Sequence, residues 1–265
     1  MTQIDGQPVA MVVAETWEAA RDAAGEQRTE RVHEVGAGAD RDQAGPGREL
    51  VSRSDQRGIT NGGELDATPG ATLSVESHLN NFGLLLALSE PGMGGSTINI
   101  DASLNNYNFL DARADSSINV DAAVKNYGRM FSEGSLTVSG ALYNNGVADI
   151  LANGGSIDIT GTVTNHGTME ADDGGSITVH GLVKNTGPLI ANGSTITIDT
   201  LQGGTASIID DGTLDFGGRS NTAVDFSGGA GGNLILEDSG AFKGSISGFD
   251  DTDMVTLKDL MIGPS

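Results

Sequence analysis

The sequence predicts an all-β chain, a right-handed parallel β-helix (β-solenoid) with rungs of about 20 residues. Three observations carry that expectation. An apolar residue followed two positions later by Asn recurs seven times, about 20 residues apart. Each copy brings two further short apolar runs. The chain also holds 40 Gly against only 4% aromatic residues, so turns are plentiful and large core-filling side chains are scarce.

The anchors read "ITNGG" (59–63), "LNNFG" (79–83), "LNNYN" (104–108), "VKNYG" (124–128), "LYNNG" (142–146), "VTNHG" (163–167) and "VKNTG" (183–187). Their Asn residues are Asn61, Asn81, Asn106, Asn126, Asn144, Asn165 and Asn185, at intervals of 20, 25, 20, 18, 21 and 20. A β-branched run trails each anchor, from "LSV" (73–75) to "ITI" (196–198), and elements such as "LDA" (65–67) and "MEA" (169–171) lie between. A unit this short cannot bury its own apolar face and must stack on copies of itself. Alternation such as Ile177-Thr178-Val179 sends two apolar side chains inward and one polar one outward. Gly-rich pieces such as "DDGGS" turn the corners, since Gly accepts positive φ. The intervals do not keep a strict six-residue period, which favours a right-handed helix over a left-handed hexapeptide one. A propeller blade needs about 40 residues, twice the interval seen.

The recurring Asn calls for its own account. Placed at a bend, it can bond local backbone and tolerate left-handed geometry. Copies one rung apart can also bond amide to amide in a ladder.

Three regions follow. Residues 1–58 hold seven Arg, no Lys and no repeat, and "AETWEAARDAAGEQRTERVHE" (14–34) has helical composition, so they read as a poorly ordered or helical leader and linker. Residues 59–200 are the seven-copy repeat region. Residues 201–265 keep the style but lose the Asn register, gather four of the seven Phe, and end in the acidic "FDDTDMVTLKDL" (249–260), read as divergent rungs and an acidic cap.

The net charge of −22 argues against nucleic acid and anionic membranes as partners. No apolar run is long enough to span a bilayer as a helix, and the N-terminus lacks a signal-peptide pattern, so an export address is expected on a larger parent chain. There is no Cys, hence no disulfide or thiolate chemistry.

With these features assembled, "VTNHGTMEADDGGSITVHGLVKNTG", "GGTASIIDDGTLDFGG" and "FKGSISGFDDTDMVTL" resemble the repeat regions of large bacterial exoproteins. These are the passenger regions of autotransporter-type adhesins and the filamentous-haemagglutinin-like proteins. The resemblance covers about 59–260 and implies a right-handed β-helix displayed outside the cell or secreted, often adhesive toward glycans, extracellular matrix or a host surface. The membrane β-barrel that ends an autotransporter is not in this sequence.

Because such stacks also scaffold polysaccharide lyases and hydrolases, paired carboxylates need weighing. Asp172–Asp173 and Asp210–Asp211 each adjoin Gly, where Asp is common as a turn residue, and only seven Lys and Arg lie beyond residue 58. His33, His78, His166 and His180 show no metal-ligand spacing. "GGAGGNLIL" (228–236) approaches a calcium-binding nonapeptide but has Asn233 in the ligand place, leaving Asp250, Asp251 and Asp253 as weak calcium candidates. The expectation is therefore a non-enzymatic structural or adhesive module with no catalytic residue, metal or cofactor. The alternatives are a polysaccharide-active enzyme and a ligand-free spacer stalk.

Overall fold

The computed structural model describes residues 31–36, 48–53 and 58–260 of the chain. Its fold is an all-β parallel solenoid. Each rung contributes three short strands, typically of three, four and four residues, and each strand pairs in parallel with its copies in the neighbouring rungs. The second strands form a ten-stranded sheet running from Glu64–Ala67 to Ile246–Ser247. The third strands run from Thr72–Val75 to Met254–Leu257.

Register is kept by inward-facing columns, five of them apolar. One column reads Leu73, Ile98, Ile118, Leu136, Ile157, Ile177, Ile196, Leu214 and Leu234, every member at most 1% exposed. A second column is small: Ala67, Ala87, Ala112, Ser132, Ala152, Ala171 and Ala191. Burying an aliphatic side chain stabilises by about 1.5–3 kcal/mol. A one-residue slip would turn such a column toward solvent, so the period-two pattern itself fixes the pairing.

The sixth column is the asparagines, and it ends at Asn185. The next two rungs place Gly203 and Thr222 there. In those same rungs the alanine column enlarges to Ile208 and Phe226, and Phe216 replaces the Ile and Val of another column. Volume lost on one side of the section is restored on another, as close packing requires.

The corner after each Asn differs from expectation. Gly83, Gly128 and Gly187 do not adopt positive φ; a Cβ there would lie 1.8–2.0 Å from the carbonyl oxygen of Gly63, Asn108 or Gly167 one rung below. Crowding by the underlying backbone demands Gly at these three positions, whereas Asn108 fills the same corner after Asn106 and Gly146 has no backbone atom closer than 3.7 Å. Positive φ falls at the other corner, at Gly154, Gly174 and Gly193 and at Asp173, Asp210 and Asp211, and reaches the Asn corner only where the Asn column has ended, at Gly203 and Gly204.

Two boundaries shift. Arg31–Gly36 and Arg48–Arg53 are strands joined antiparallel, and the second pairs in parallel with Thr72–Val75, so the stack begins before residue 59. The remainder of the expected helix at 14–34 lies outside the described residues. At the other end, 245–257 supplies further paired strands, with Phe249, Met254 and Leu257 exposed. Phe216 and Phe226 fill the core and Phe242 stacks on Phe216, so the phenylalanines build rungs as much as they close them.

The long interval between Asn81 and Asn106 is a small antiparallel hairpin, Ser89–Glu90 with Gly94–Gly95, that leaves the ladder register intact on both sides.

Removing residues 1–53 is expected to expose the Thr72–Val75 edge and lower the melting temperature by about 4 °C or more. Removing only 1–30 touches none of the described strands. Calorimetry of the two truncations side by side checks this, and equal melting would show that the hairpin does not protect the edge.

Candidate functional site

Six of the seven repeated asparagines end three-residue strands and Asn185 ends the longer strand Ser176–Asn185, all with side chains inward and at most 2% exposed. Each of the first six donates from Nδ2 to Oδ1 of the next, at 2.7–2.8 Å, giving one continuous chain of amides. The second Nδ2 hydrogen of Asn61, Asn81, Asn106, Asn126 and Asn144 goes to the carbonyl of Leu84, Phe109, Arg129, Asp149 and Thr168, at 2.7–3.1 Å. Every such amide therefore clamps the corner of the following rung.

The ends are satisfied differently. Oδ1 of Asn61 accepts from the Gly63 N–H at 3.1 Å. Asn185 reaches the Thr205 carbonyl at 3.5 Å, against Gly204, where a Cβ would sit 2.4 Å from Nδ2. Thr222 then carries on the polar column by donating to the Gly203 carbonyl at 2.8 Å. The asparagines have extended strand geometry rather than the left-handed conformation considered from sequence.

Outside this column lies a feature that sequence reasoning missed. The residue after Asn is Phe82, Tyr107 and Tyr127 in three successive rungs, and these rings stack at 4.4 Å and 5.0 Å with their planes nearly parallel. Tyr143 and His166 prolong the row at tilted angles. The rings stand in "NFG", "NYN" and "NYG", but nothing in those letters marks the residue after Asn as one that stacks on its copies. Stacked faces are occupied by their neighbours, so this row offers ring edges and hydroxyl tips to a ligand, not flat faces.

Charge gives the same face its character. The segments 58–63, 78–83, 103–108, 123–128, 141–146, 162–167 and 182–187 contain none of the 36 acidic residues of the chain. The outward column one position before the Asn runs Thr60, Asn80, Asn105, Lys125, Tyr143, Thr164, Lys184 and Gln202. Asn221 and Lys243 continue it through the bridges at Ser220. A band of donors thus crosses an otherwise acidic molecule. Asn105 donates to Asn80 at 2.9 Å, and His78 bonds Ser103 and Asn80 on the same face.

The carboxylates considered for catalysis are not assembled. Asp172 Oδ1 accepts from its neighbour's N–H and from Asn192, holding the turn. Asp173, Asp210 and Asp211 are the left-handed turn residues themselves. Both oxygens of Asp253 accept backbone N–H bonds, from Gly232 and Asp250, while Asp250 accepts from Thr252. These bonds hold the Asp250 carboxyl below its ordinary range. Asp250 and Asp253 are bonded within their own turn, Asp251 lies exposed between them, and among the described residues no three His, Asp or Glu converge as a metal site. His166 bonds Thr186, His180 faces Asp158, and His33 lies in the N-terminal hairpin.

Four carboxyls titrate above their ordinary range. Burial lifts Asp66, with Glu64 adding to it, and burial likewise lifts Asp111 against the opposing pull of Arg113. Burial lifts Glu170 with help from Asp172, and Asp215 with help from Glu237. Oδ1 of Asp111 and of Asp215 is buried without a hydrogen-bond partner. These groups sit on separate rungs, on the outer faces of the second and third strands.

Ten rungs of parallel sheet with an internal amide ladder and an acid-free outer band define a β-solenoid repeat protein. Comparison of the chain with protein-family models, with curated proteins and with solved structures returns no match.

Two outcomes follow from the site. Asn165→Ala strands the Asn144 donor and the Asn185 acceptor in the core, each orphan costing about 1–3 kcal/mol, whereas Thr164→Ala should change stability by less than about 0.5 kcal/mol. Denaturant unfolding of both variants checks this; equal midpoints would reduce the ladder to a turn preference.

The raised carboxyls have a sign that can be worked out. A folded-state pKa above the unfolded one favours the protonated folded form. Their stabilisation is full below the unfolded pKa of about 4 and is lost as pH rises through the folded values. Melting temperature should therefore rise on acidification from pH 7 toward that range, and Asp111→Asn with Asp215→Asn should flatten the rise. A steady fall over the same range would contradict the assignment.

Proposed function

We propose that this chain is a non-enzymatic structural and adhesive module of a bacterial secreted or surface-displayed β-helix protein, and that it binds glycans along its acid-free band. The single observation behind the reading is the outward column of amides, hydroxyls and lysines that runs the length of the stack without one carboxylate. A regular row of donors repeated at each rung suits an extended polymer, because many weak contacts add up to avidity. Rigidity supports it: the donors sit on strands fixed from within by the amide ladder, so little side-chain or backbone freedom is lost on binding.

The spacer reading has its own support. The aromatic row is satisfied ring against ring, as a purely structural ladder would be. The enzyme reading finds less, since the candidate carboxylate pairs serve turns.

Beads coated with cellulose, chitin, pectate or heparin separate these readings. The protein is expected to be retained by at least one polysaccharide. Lys125→Glu with Lys184→Glu should weaken that retention at least tenfold, leaving the far-ultraviolet spectrum unchanged. Retention by none would make the chain a spacer. Release of soluble sugar from the beads would make it an enzyme.

A further inference from the structure

The donor band ends in a depression of about 390 Å³ lined by Gln202, Arg219, Asn221, Gly240, Ala241 and Lys243. That volume falls within the usual range for small-molecule sites. Three successive rungs build it, held together by the parallel bridges from Leu201 to Ser220 and from Ser220 to Phe242. The frame is firm. Lys243 N–H donates to the Ser220 carbonyl at 2.6 Å, Ser220 is fully buried, and Phe242 stacks on the core ring of Phe216.

Two of its polar side chains are held by bonds to the backbone. Asn221 accepts the Gly203 N–H through Oδ1 at 2.7 Å, which commits its oxygen and leaves the amide N–H groups for a ligand. The Lys243 ammonium donates to the Gly240 carbonyl at 2.6 Å, which places it at the rim with donors to spare. Arg219 has no carboxylate partner among the described residues. No acidic residue lines the depression. The acids of the adjoining turn are engaged: Asp238 accepts from the Ala241 N–H, and Asp259 from the Ser239 hydroxyl.

Two cations and two amides without a carboxylate, on a molecule of net charge −22, need a reason. Screening over about 8 Å at physiological salt makes the local sign matter more than the total. We propose that this depression binds the carboxylate of an acidic sugar unit, a uronate, with the Arg219 fork and the Lys243 ammonium on the anion and Gln202 and Asn221 on neighbouring hydroxyls. Arg suits the planar anion through paired N–H donors, and Lys adds a point charge. The inference deepens the glycan-binding reading and rests on it: the band guides a polymer and the depression selects the charged unit.

The test is titration calorimetry of the full chain with trigalacturonate, its fully methyl-esterified form, and sodium sulfate. The esterified sugar keeps the shape and loses the charge. Trigalacturonate is expected to bind, the ester at least tenfold more weakly, and Arg219→Gln or Lys243→Gln to weaken the acid form at least tenfold. Both side chains are exposed, so neither substitution should disturb folding, and an unchanged melting temperature verifies that. Equal binding of acid and ester, or wild-type affinity in Arg219→Gln, would overturn the proposal. Failure of trigalacturonate while the beads still retain the protein through Lys125 and Lys184 would overturn the depression's role alone. Sulfate binding that depends on Arg219, with no sugar bound anywhere, would overturn the glycan reading and leave an inorganic-anion site.

Discussion

The amide chain through Asn61, Asn81, Asn106, Asn126, Asn144, Asn165 and Asn185 is the interaction on which the rest of the stack depends. Aliphatic columns supply most of the stabilisation and exclude a one-residue slip, but Leu, Ile and Val exchange for one another at modest cost and distinguish poorly between one rung and the next. A buried amide does discriminate. One net hydrogen bond contributes only about 1 kcal/mol, yet each orphaned partner costs as much as several times that. A misaligned rung would leave an Nδ2 donor and an Oδ1 acceptor in the core at once. All links point the same way along the axis, so each polarises the next. The ladder therefore specifies which strand lies on which, and the apolar columns make that arrangement stable.

Several other features follow from having amides at that corner. At Gly83, Gly128 and Gly187 the Gly two positions on is required because the chain, held by the amide-to-carbonyl clamp, passes directly over the carbonyl of the rung below. Where the Asn column stops, the section is refilled by Ile208, Phe216 and Phe226. Because the amides face inward, the residue before each Asn faces outward, and that outward column is where the polymer-binding reading lies. Internal order and external presentation are two sides of the same three-residue strand.

How much of this the sequence disclosed depends on whether the pattern repeats. Asn165 and its copies were legible because one residue type recurs at rung spacing, and the inward columns because alternation has period two. The strand Arg48–Arg53 was not legible: "RELVSR" has no Asn, no Gly corner and charged ends, and only pairing with Thr72–Val75 gives it a place. The crowding at Gly83 was invisible because it is a contact between rungs, and local preference pointed to positive φ instead. Phe82, Tyr107 and Tyr127 were readable as letters but not as a stack. The depression around Arg219 and Lys243 joins residues 24 apart through bridges at a single residue, Ser220, and no repeat marks it. The site escaped because it lies where the repeat breaks down.

The central claim is that the asparagine amides are buried, linked and register-setting. Side-chain hydrogen exchange measured by NMR on the intact chain tests this most directly. The Nδ2 protons of Asn81, Asn106, Asn126, Asn144 and Asn165 should be protected as strongly as the backbone N–H groups of Ile118 and Ile177. The outward amides of Asn99 and Asn119 should exchange far faster, although they also bond each other. Inward asparagines that exchanged as fast as Asn99 and Asn119 would show that the amide chain opens independently of the strands, and the ladder would no longer account for the register of the stack.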